Sequence, residues 1–197
     1  QYDSLCRLSS ATNGLGLFNI QYLNDTSLVT NVQYPNGLNT QFDYFDTDKD
    51  RYMLKELTNY LDTSKTQYVS KHEYQYNLNN DISSWNIKDG AGAGQRLEFA
   101  YDAVGQLETV YKKALTAGNP LQDYEHYRYD KAGNRTSNQS FGNKVTTAEF
   151  NISNQITTLK SGGKLLIEGQ LSEYSQVTIN KAAAKVNGNN QFKGYAE

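Results

Sequence analysis

One short pattern recurs along the chain and constrains its fold more than any other feature. It reads Tyr or Phe, Asp or Asn, two variable residues, Gly or Asn, a further variable residue and, in most copies, Leu or Ile. It is spelled "YDSLCRL" from Tyr2, "YNLNNDI" from Tyr76, "YDAVGQL" from Tyr101, "YDKAGNR" from Tyr129 and "FNISNQI" from Phe150. A degraded copy, "YLNDTSL", starts at Tyr22, and a stretched one, "FDTDKDRYML", at Phe45. The starts are separated by 20, 23, 31, 25, 28 and 21 residues. A solenoid in strict register holds one period. A fixed word at variable spacing instead predicts a fixed turn, joined by hairpins of varying length.

Apolar residues alternate on both sides of the word. Leu97, Phe99 and Tyr101 lead into one copy, and Leu107, Thr109 and Tyr111 follow it. Tyr74 and Tyr76 precede another, Tyr127 and Tyr129 a third. Period two is the signature of a strand with one apolar face. Between the strands, Asp3, Asp102 and Asp130 carry short side chains that bond nearby backbone in turns, and Gly105 and Gly133 tolerate positive φ. Each word is therefore expected to be strand, tight turn, strand. The aromatic residue ends one strand and the aliphatic residue begins the next, so neighbouring words stack into an aromatic–aliphatic ladder.

At their other ends the strands are expected to meet in a second kind of loop. Examples are "TNGLG" (12–16), "YPNGL" (34–38), "LDTSK" (61–65), "DGAGAG" (89–94), "LTAGNP" (115–120) and "SFGNK" (140–144), all turn chemistry. One segment, "RYMLKELTNYL", sets Met53, Leu57, Tyr60 and Leu61 at helical spacing. The turn and alternating "KHEYQYN" beyond it favour a hairpin, so the segment is read as strand. The fold class is all-β: a long antiparallel meander of word hairpins, coiling into a sheet or a partial shell or barrel, with a few extra strands at the C-terminal end.

Composition bounds the function. Net charge is −2 and the pI about 5.7, which does not point to nucleic acid or an anionic membrane surface. Hydrophobic residues make up 37%, low for a core-forming chain, but sixteen tyrosines supply apolar area and argue against disorder. The lone Cys6 forms no intrachain disulfide, and no apolar run reaches membrane-spanning length. The first residues are not a signal peptide. The chain opens in mid-pattern without a starting Met, so it is expected to be a segment of a longer polypeptide.

"YDAVGQLETV", "YRYDKAGNRTS" and "VQYPNGLNTQFDYF" resemble YD repeats, the units of bacterial RHS proteins. Similar repeats build the shells of ABC-toxin complexes and the barrels of teneurins. The resemblance covers residues 1–160. It implies a sheet that coils into a hollow shell or barrel, non-enzymatic in itself, enclosing a C-terminal toxic domain in toxin members and carrying adhesion modules in teneurins. Its structural positions here are Tyr2, Asp3, Tyr22, Tyr76, Tyr101, Asp102, Gly105, Leu107, Tyr129, Asp130, Gly133 and Phe150. RHS shells that release cargo end in a self-cleaving core around Asp-Pro-x-Gly. Neither Pro35 nor Pro120 follows an Asp, so that core is absent from these residues. Seven words are also too few to close a family-sized shell. The chain looks like a slice of an RHS-type protein.

Candidate chemistry is sparse. His72 and His126 lie on strand-like segments with no ligand partners at metal spacing, and are read as solvated or hydrogen-bonded strand positions. Asp123 and Glu125 share a strand face but are one pair among twenty-one acidic residues. Asp46, Asp48 and Asp50 echo the start of a calcium loop, yet Arg51 stands where its Gly belongs and Leu57 where its Glu belongs. They are read as an elongated turn, with weak calcium binding as the alternative. Gly90, Gly92 and Gly94 lead into a strand, not a helix N-terminus, so a phosphate loop is not expected. Sequons at Asn24, Asn134, Asn138 and Asn151 reflect abundant Asn. No cofactor and no catalytic residue is assigned.

The tail, residues 161–197, has no word, and its "NGNN" (187–190) reads as a turn. It alternates as "QVTIN" and "QFKGY", either the start of an Ig-like sandwich module or an extension of the sheet. "LFNIQY" (17–22) is expected as the first strand and "QFKGYAE" (191–197) as the last, and neither edge is blunted by Pro. The expectation is a non-enzymatic structural segment of a large extracellular or cell-surface bacterial protein. Its partners would be the rest of that polypeptide or neighbouring copies through sheet edges. The alternatives are an adhesion module for glycan or protein, and a piece of a polymorphic toxin's encapsulating shell.

Overall fold

The computed structural model describes residues 1–45, 52–90 and 92–196. Asp46, Asp48 and Asp50 lie outside the described residues. Thirteen strands form one sheet whose hydrogen-bonded order follows the sequence, β1 to β13. The described residues contain no helix. "RYMLKELTNYL" supplies β5 (Leu54–Tyr60), so strand pairing on both sides overrides its helical spacing.

The chain divides into two compact units, Gln1–Glu98 with Lys112–Leu121, and Phe99–Tyr111 with Gln122–Glu197. In the first, β1 (Ser10–Asn13), β2 (Gly16–Tyr22), β3 (Val29–Gln33), β4 (Asn39–Tyr44), β5, β6 (Tyr68–Tyr76) and β7 (Ile82–Asp89) pair antiparallel in succession. β8 (Gln95–Tyr101) follows on β7, and β9 (Leu107–Ala114) follows β8. In the second unit, β10 (Leu121–Tyr129), β11 (Arg135–Ser140), β12 (Lys144–Phe150) and β13 (Ile156–Ser161) repeat the pattern.

A strand precedes the one expected to be first. "SATN" forms β1, too polar and too short to show a period-two signal. The expected last strand is not an edge either. After β14 (Leu165–Gln170), the short strands β15 (Thr178–Ile179) and β16 (Ala182–Ala183) pair with each other, and β18 (Gln191–Ala196) is the middle strand of a separate sheet, between β14 and β17 (Lys185–Val186). The tail thus does not extend the large sheet. The last strand of that sheet is β13, where Ile156 and Leu159 are 62% and 68% exposed.

Burial is unlike that of a two-layer domain. The buried hydrophobic side chains among the described residues are Val110, Leu166 and Ile179, all in the second unit. In the first unit the buried side chains are polar: Ser10, Asn31, Asn39, Thr40, Thr58 and Ser84. Asn31, Asn39 and Thr40 are satisfied across strands and Thr58 donates to Glu56 of its own strand, as burial of polar groups requires. Asn31 and Asn39 exchange amide hydrogen bonds at 3.1 and 2.8 Å. On the same face a row of opposite charges runs across the strands. Lys71 sits 2.8 Å from Glu56 and 3.5 Å from Glu73, and Lys88 3.0 Å from Glu73. Glu98 lies between Arg96 and Lys113, at 2.8 and 2.5 Å. Burial works to raise the Glu73 carboxyl, but Lys88, Asn86 and Lys71 together hold it below its ordinary value. Single pairs of this exposure contribute at most about 1 kcal/mol, so the row acts as a register device more than a glue.

Candidate functional site

The chemistry that repeats in this molecule is that of the word. Each well-formed copy closes the same turn. The Asp102 carboxylate accepts the amides of Val104 and Gln106, and Asp130 those of Ala132 and Asn134, all at 2.9 Å. Asp3, Asn77 and Asn151 do the same two and four residues ahead, at 2.9–3.0 Å. The Asp102 amide donates to the Gln106 carbonyl at 2.8 Å, and the Gly105 amide to the Asp102 carbonyl at 3.1 Å. This is a three-residue hairpin loop, a type I turn followed by one residue in the left-handed region.

That residue is the fourth after the aromatic. It has φ +84° at Gly105 and +83° at Gly133, and Cys6, Asn80 and Asn154 take the same place at +60°, +68° and +59°. The side-chain-to-amide bonds hold the Asp130 carboxyl below its ordinary value, those from Asn134 contributing most. The tail contains an unrecognised copy, "VNGNNQF" from Val186. Asn187 accepts the amides of Asn189 and Gln191 at 3.0 Å, and Asn190 has φ +58°. Val186 stands where the other copies carry Tyr or Phe, so this copy lacks the word's aromatic.

A substitution series at Gly105 reads this geometry. A Cβ there meets nothing within 4 Å, so only the backbone conformation resists a side chain. Gly105→Val is expected to cost about 1–2 kcal/mol and Gly105→Asn markedly less, because β-branched residues are the poorest occupants of positive φ and Asn among the better. Urea melts of the two variants check it. Equal costs would mean the turn does not hold this residue in the left-handed region.

The aromatic of the word does a separate job. The Tyr22 hydroxyl donates to the Leu8 carbonyl at 2.9 Å, Tyr44 to Val29 at 2.8 Å and Tyr76 to Leu54 at 2.8 Å. In the second unit Tyr129 donates to Leu107 at 2.9 Å. Each hydroxyl thus reaches back to the carbonyl where the strand after an earlier word begins. Register slips immediately before these tyrosines, at Gln21/Tyr22, Asp43/Tyr44, Gln75/Tyr76 and Arg128/Tyr129. The same slip precedes Phe150, which has no hydroxyl. The β-bulge turns the ring out of the pleat.

This corrects the frame of the stretched copy by one residue. Tyr44, not Phe45, carries the clamp, and the Phe45 amide donates to Met53 as the turn-opening residue does elsewhere. Tyr2, by contrast, is 72% exposed and makes a single bridge to Leu8. Side chains also tie adjacent words together. Arg7 bonds Asp3 at 2.7 Å, reaches the carbonyls of Asn24 and Thr26, and lies over the Tyr22 ring. The Asn134 amide donates to Asn154 at 2.9 Å.

The second constellation lies within the second unit, where the tail meets its sheet strands. Leu166 is fully buried; its amide donates to the Gln139 side chain at 2.7 Å, and its carbonyl accepts from Gln139 at 3.2 Å and from Tyr124. Tyr111 donates to Glu168 at 3.0 Å. Lys193 lies 3.2 Å from Glu108 and 3.4 Å from Glu168. His126, 3% exposed, sits 3.2 Å from Thr109 through Nδ1 and 3.2 Å from the Tyr195 hydroxyl through Nε2. Burial, aided by the charges of Lys193 and Arg128, lowers its pKa to about 4. Inside the tail, Phe192 stacks over Gly169, where a Cβ would come within 2.4 Å of the ring.

The remaining candidates have local partners. His72 accepts from the Trp85 indole at 3.2 Å. Asp123 accepts the amides of Tyr124 and Gly142, while Glu125 accepts the Tyr127 hydroxyl, so the two carboxylates serve different neighbours. Gly90 donates to Val69, Gly92 donates to Asp89, and the loop leads into β8. No group of three or more metal-ligating side chains occurs among the described residues.

No family model matches the chain, and no curated protein matches it. Among solved structures it is similar to a chain of the TcdB2-TccC3-Cdc42 crystal structure. Identity is 16% and the TM-score 0.52, over 79% of this chain and 10% of that one. A chain of the Photorhabdus luminescens Tc holotoxin pore aligns at 11% identity and a TM-score of 0.45, over 85% of this chain and 12% of that one. The protein therefore spans about a tenth of the length of the chains it matches, and the likeness is one of fold.

Proposed function

We propose that this chain is a structural β-repeat segment, a piece of the wall of an RHS-type shell in a large secreted or surface protein, and that it performs no catalysis of its own. The observation that carries the reading is the tyrosine clamp: one hydroxyl-to-carbonyl bond repeated from word to word, from Tyr22 to Tyr129. It locks successive hairpins at one end of the sheet while the opposite loops vary. A wall needs this, because it must hold a fixed spacing between strands over a long distance with little buried apolar area. The word's carboxylates and amides are likewise spent on backbone amides. The RHS-like fold shared with a segment of a TcdB2-TccC3 chain supports the same reading.

The test is electron microscopy of the complete gene product that contains these residues. A hollow particle with this segment in its wall is the expected result. A solid globule or an extended rod without a cavity overturns it.

A further inference from the structure

We infer that Asn13, at the tip of the first hairpin, is a site of spontaneous deamidation through the main-chain nitrogen of Gly14. Asn is followed by Gly at three places, Asn13–Gly14, Asn36–Gly37 and Asn187–Gly188, each at a hairpin turn. In an unfolded chain the three are nearly equal in chemistry. Glycine has no Cβ to crowd its nitrogen and bends freely towards the preceding side chain. All three asparagines are exposed, so exposure does not separate them. Hydrogen bonding does.

The reaction needs a Gly nitrogen free to attack and an Asn side chain free to swing its Cγ over that nitrogen. The Gly37 amide is tied, donating to the Tyr34 carbonyl at 3.0 Å, and the Asn36 side chain accepts from the Leu38 amide at 3.2 Å. The Asn187 side chain is held three times. Its Oδ1 accepts the amides of Asn189 and Gln191, and its Nδ2 donates to the Gln191 side chain, all at 3.0 Å. Among the described residues the Gly14 amide has no hydrogen-bond partner, and the Asn13 side chain has one bond, from the Leu15 amide at 2.8 Å.

Strand pairing points the same way. β3 and β4, which flank Asn36, are paired on both sides. Asn13 is the last residue of β1, the outermost strand, which pairs within the sheet with β2 alone. A hairpin at an edge opens at lower free energy than strands in the body of a sheet.

The step balances without an added catalyst. The Gly14 nitrogen bonds to Cγ of Asn13 and gives up its proton; the Cγ–Nδ2 bond breaks, ammonia leaves and a cyclic imide closes. Water then opens the imide, giving aspartate by addition at Cγ and isoaspartate by addition at the main-chain carbonyl carbon. Either product carries a new negative charge. Isoaspartate also lengthens the main chain by a methylene at Asn13↔Gly16, the pair that closes the hairpin. This inference stands independently of the wall reading.

The test incubates the 197-residue chain at mildly alkaline pH, folded and in urea, and follows each asparagine by peptide mapping and mass spectrometry. In urea the three sites should react at like rates, which calibrates the chemistry. In the folded chain Asn13 is expected to lead Asn36 by about fivefold and Asn187 by about twentyfold, for one and two further bonds at a net factor of about five each. Gly14→Ala should slow the Asn13 reaction by about fivefold or more, since a Cβ crowds the nitrogen and stiffens the backbone. A Cβ there meets nothing within 4 Å and needs no left-handed backbone, and thermal melting establishes that the variant is folded; if it is not, the three rates of the native chain carry the test. The proposal is overturned by Asn36 or Asn187 reacting as fast as Asn13 in the folded chain, by Asn13 staying intact while the urea sample converts, or by an unchanged rate in folded Gly14→Ala.

Discussion

Replacing Leu166 with alanine is expected to destabilise the second unit by about 2–5 kcal/mol, the range for emptying a fully buried aliphatic site. Among the described residues Leu166 is the one hydrophobic side chain with no exposed surface, and it brings the tail down on the sheet. Its backbone is held as well: Gln139 bonds both its amide and its carbonyl. Gln139→Ala should therefore cost about 1–3 kcal/mol, because it strands buried backbone polar groups. Leu78→Ala, at a fully exposed position in a word turn, should change stability by less than about 0.5 kcal/mol. Urea melts followed by tyrosine and tryptophan fluorescence check the order. A Leu166→Ala cost no larger than that of Leu78→Ala would show that the tail adds nothing to the fold.

Acid should weaken the same junction well before the carboxylates titrate. The imidazole of His126 is packed between Thr109 and Tyr195, with Lys193 and Arg128 as the nearest cations and Glu108 opposing them. Its folded pKa is near 4, against 6.5 for the ordinary side chain. Between those values the unfolded state holds the proton and the folded state does not, so stability falls as pH drops from 6.5 and levels off below 4. At 1.36 kcal/mol per pH unit, the loss reaches about 2–3 kcal/mol by pH 4.5. The carboxylates held below their ordinary values add their own losses at the acid end of that window and below it, Glu73 and Glu98 from near 4.5 and Asp3 and Asp130 from near 3.8. Denaturation at pH 7.0 and 4.5, for the native chain and for His126→Gln, isolates the effect. The variant's stability should change little between the two; an equal drop in both would remove His126 as the cause.

Much of the fold is legible in the residues because it is local. Asp130 reaches amides two and four residues on, so its turn is written within five positions. The alternation around Tyr101 and Tyr129 gives strands, and two strands joined by a three-residue loop have one antiparallel solution. Even the helical spacing of Met53, Leu57 and Tyr60 is resolved by its neighbours, since a segment flanked by hairpin turns pairs with what precedes and follows it. Where the signal weakens, the differences are small: the frame at Tyr44 shifts by one residue, the polar strand Ser10–Asn13 carries no alternation, and the turn at "NGNN" is legible while Val186 masks that it is a copy of the word.

The destination of the tail is another matter. Alternation shows that residues 161–197 form strands but carries no information on what they lie against. His126 meets Tyr195 across 69 residues, Glu108 meets Lys193 across 85, and Gln139 meets Leu166 across 27. No spacing rule connects such pairs, because loop closure over those lengths costs nearly the same for many alternatives. The choice falls to which surface best satisfies the buried groups on both sides. The sequence by itself determined a meander of like hairpins, through side chains that bond their own backbone. Only the tertiary structure decided which face is covered, which histidine is buried and where the open edge lies, because those depend on summed contacts between segments far apart in the chain.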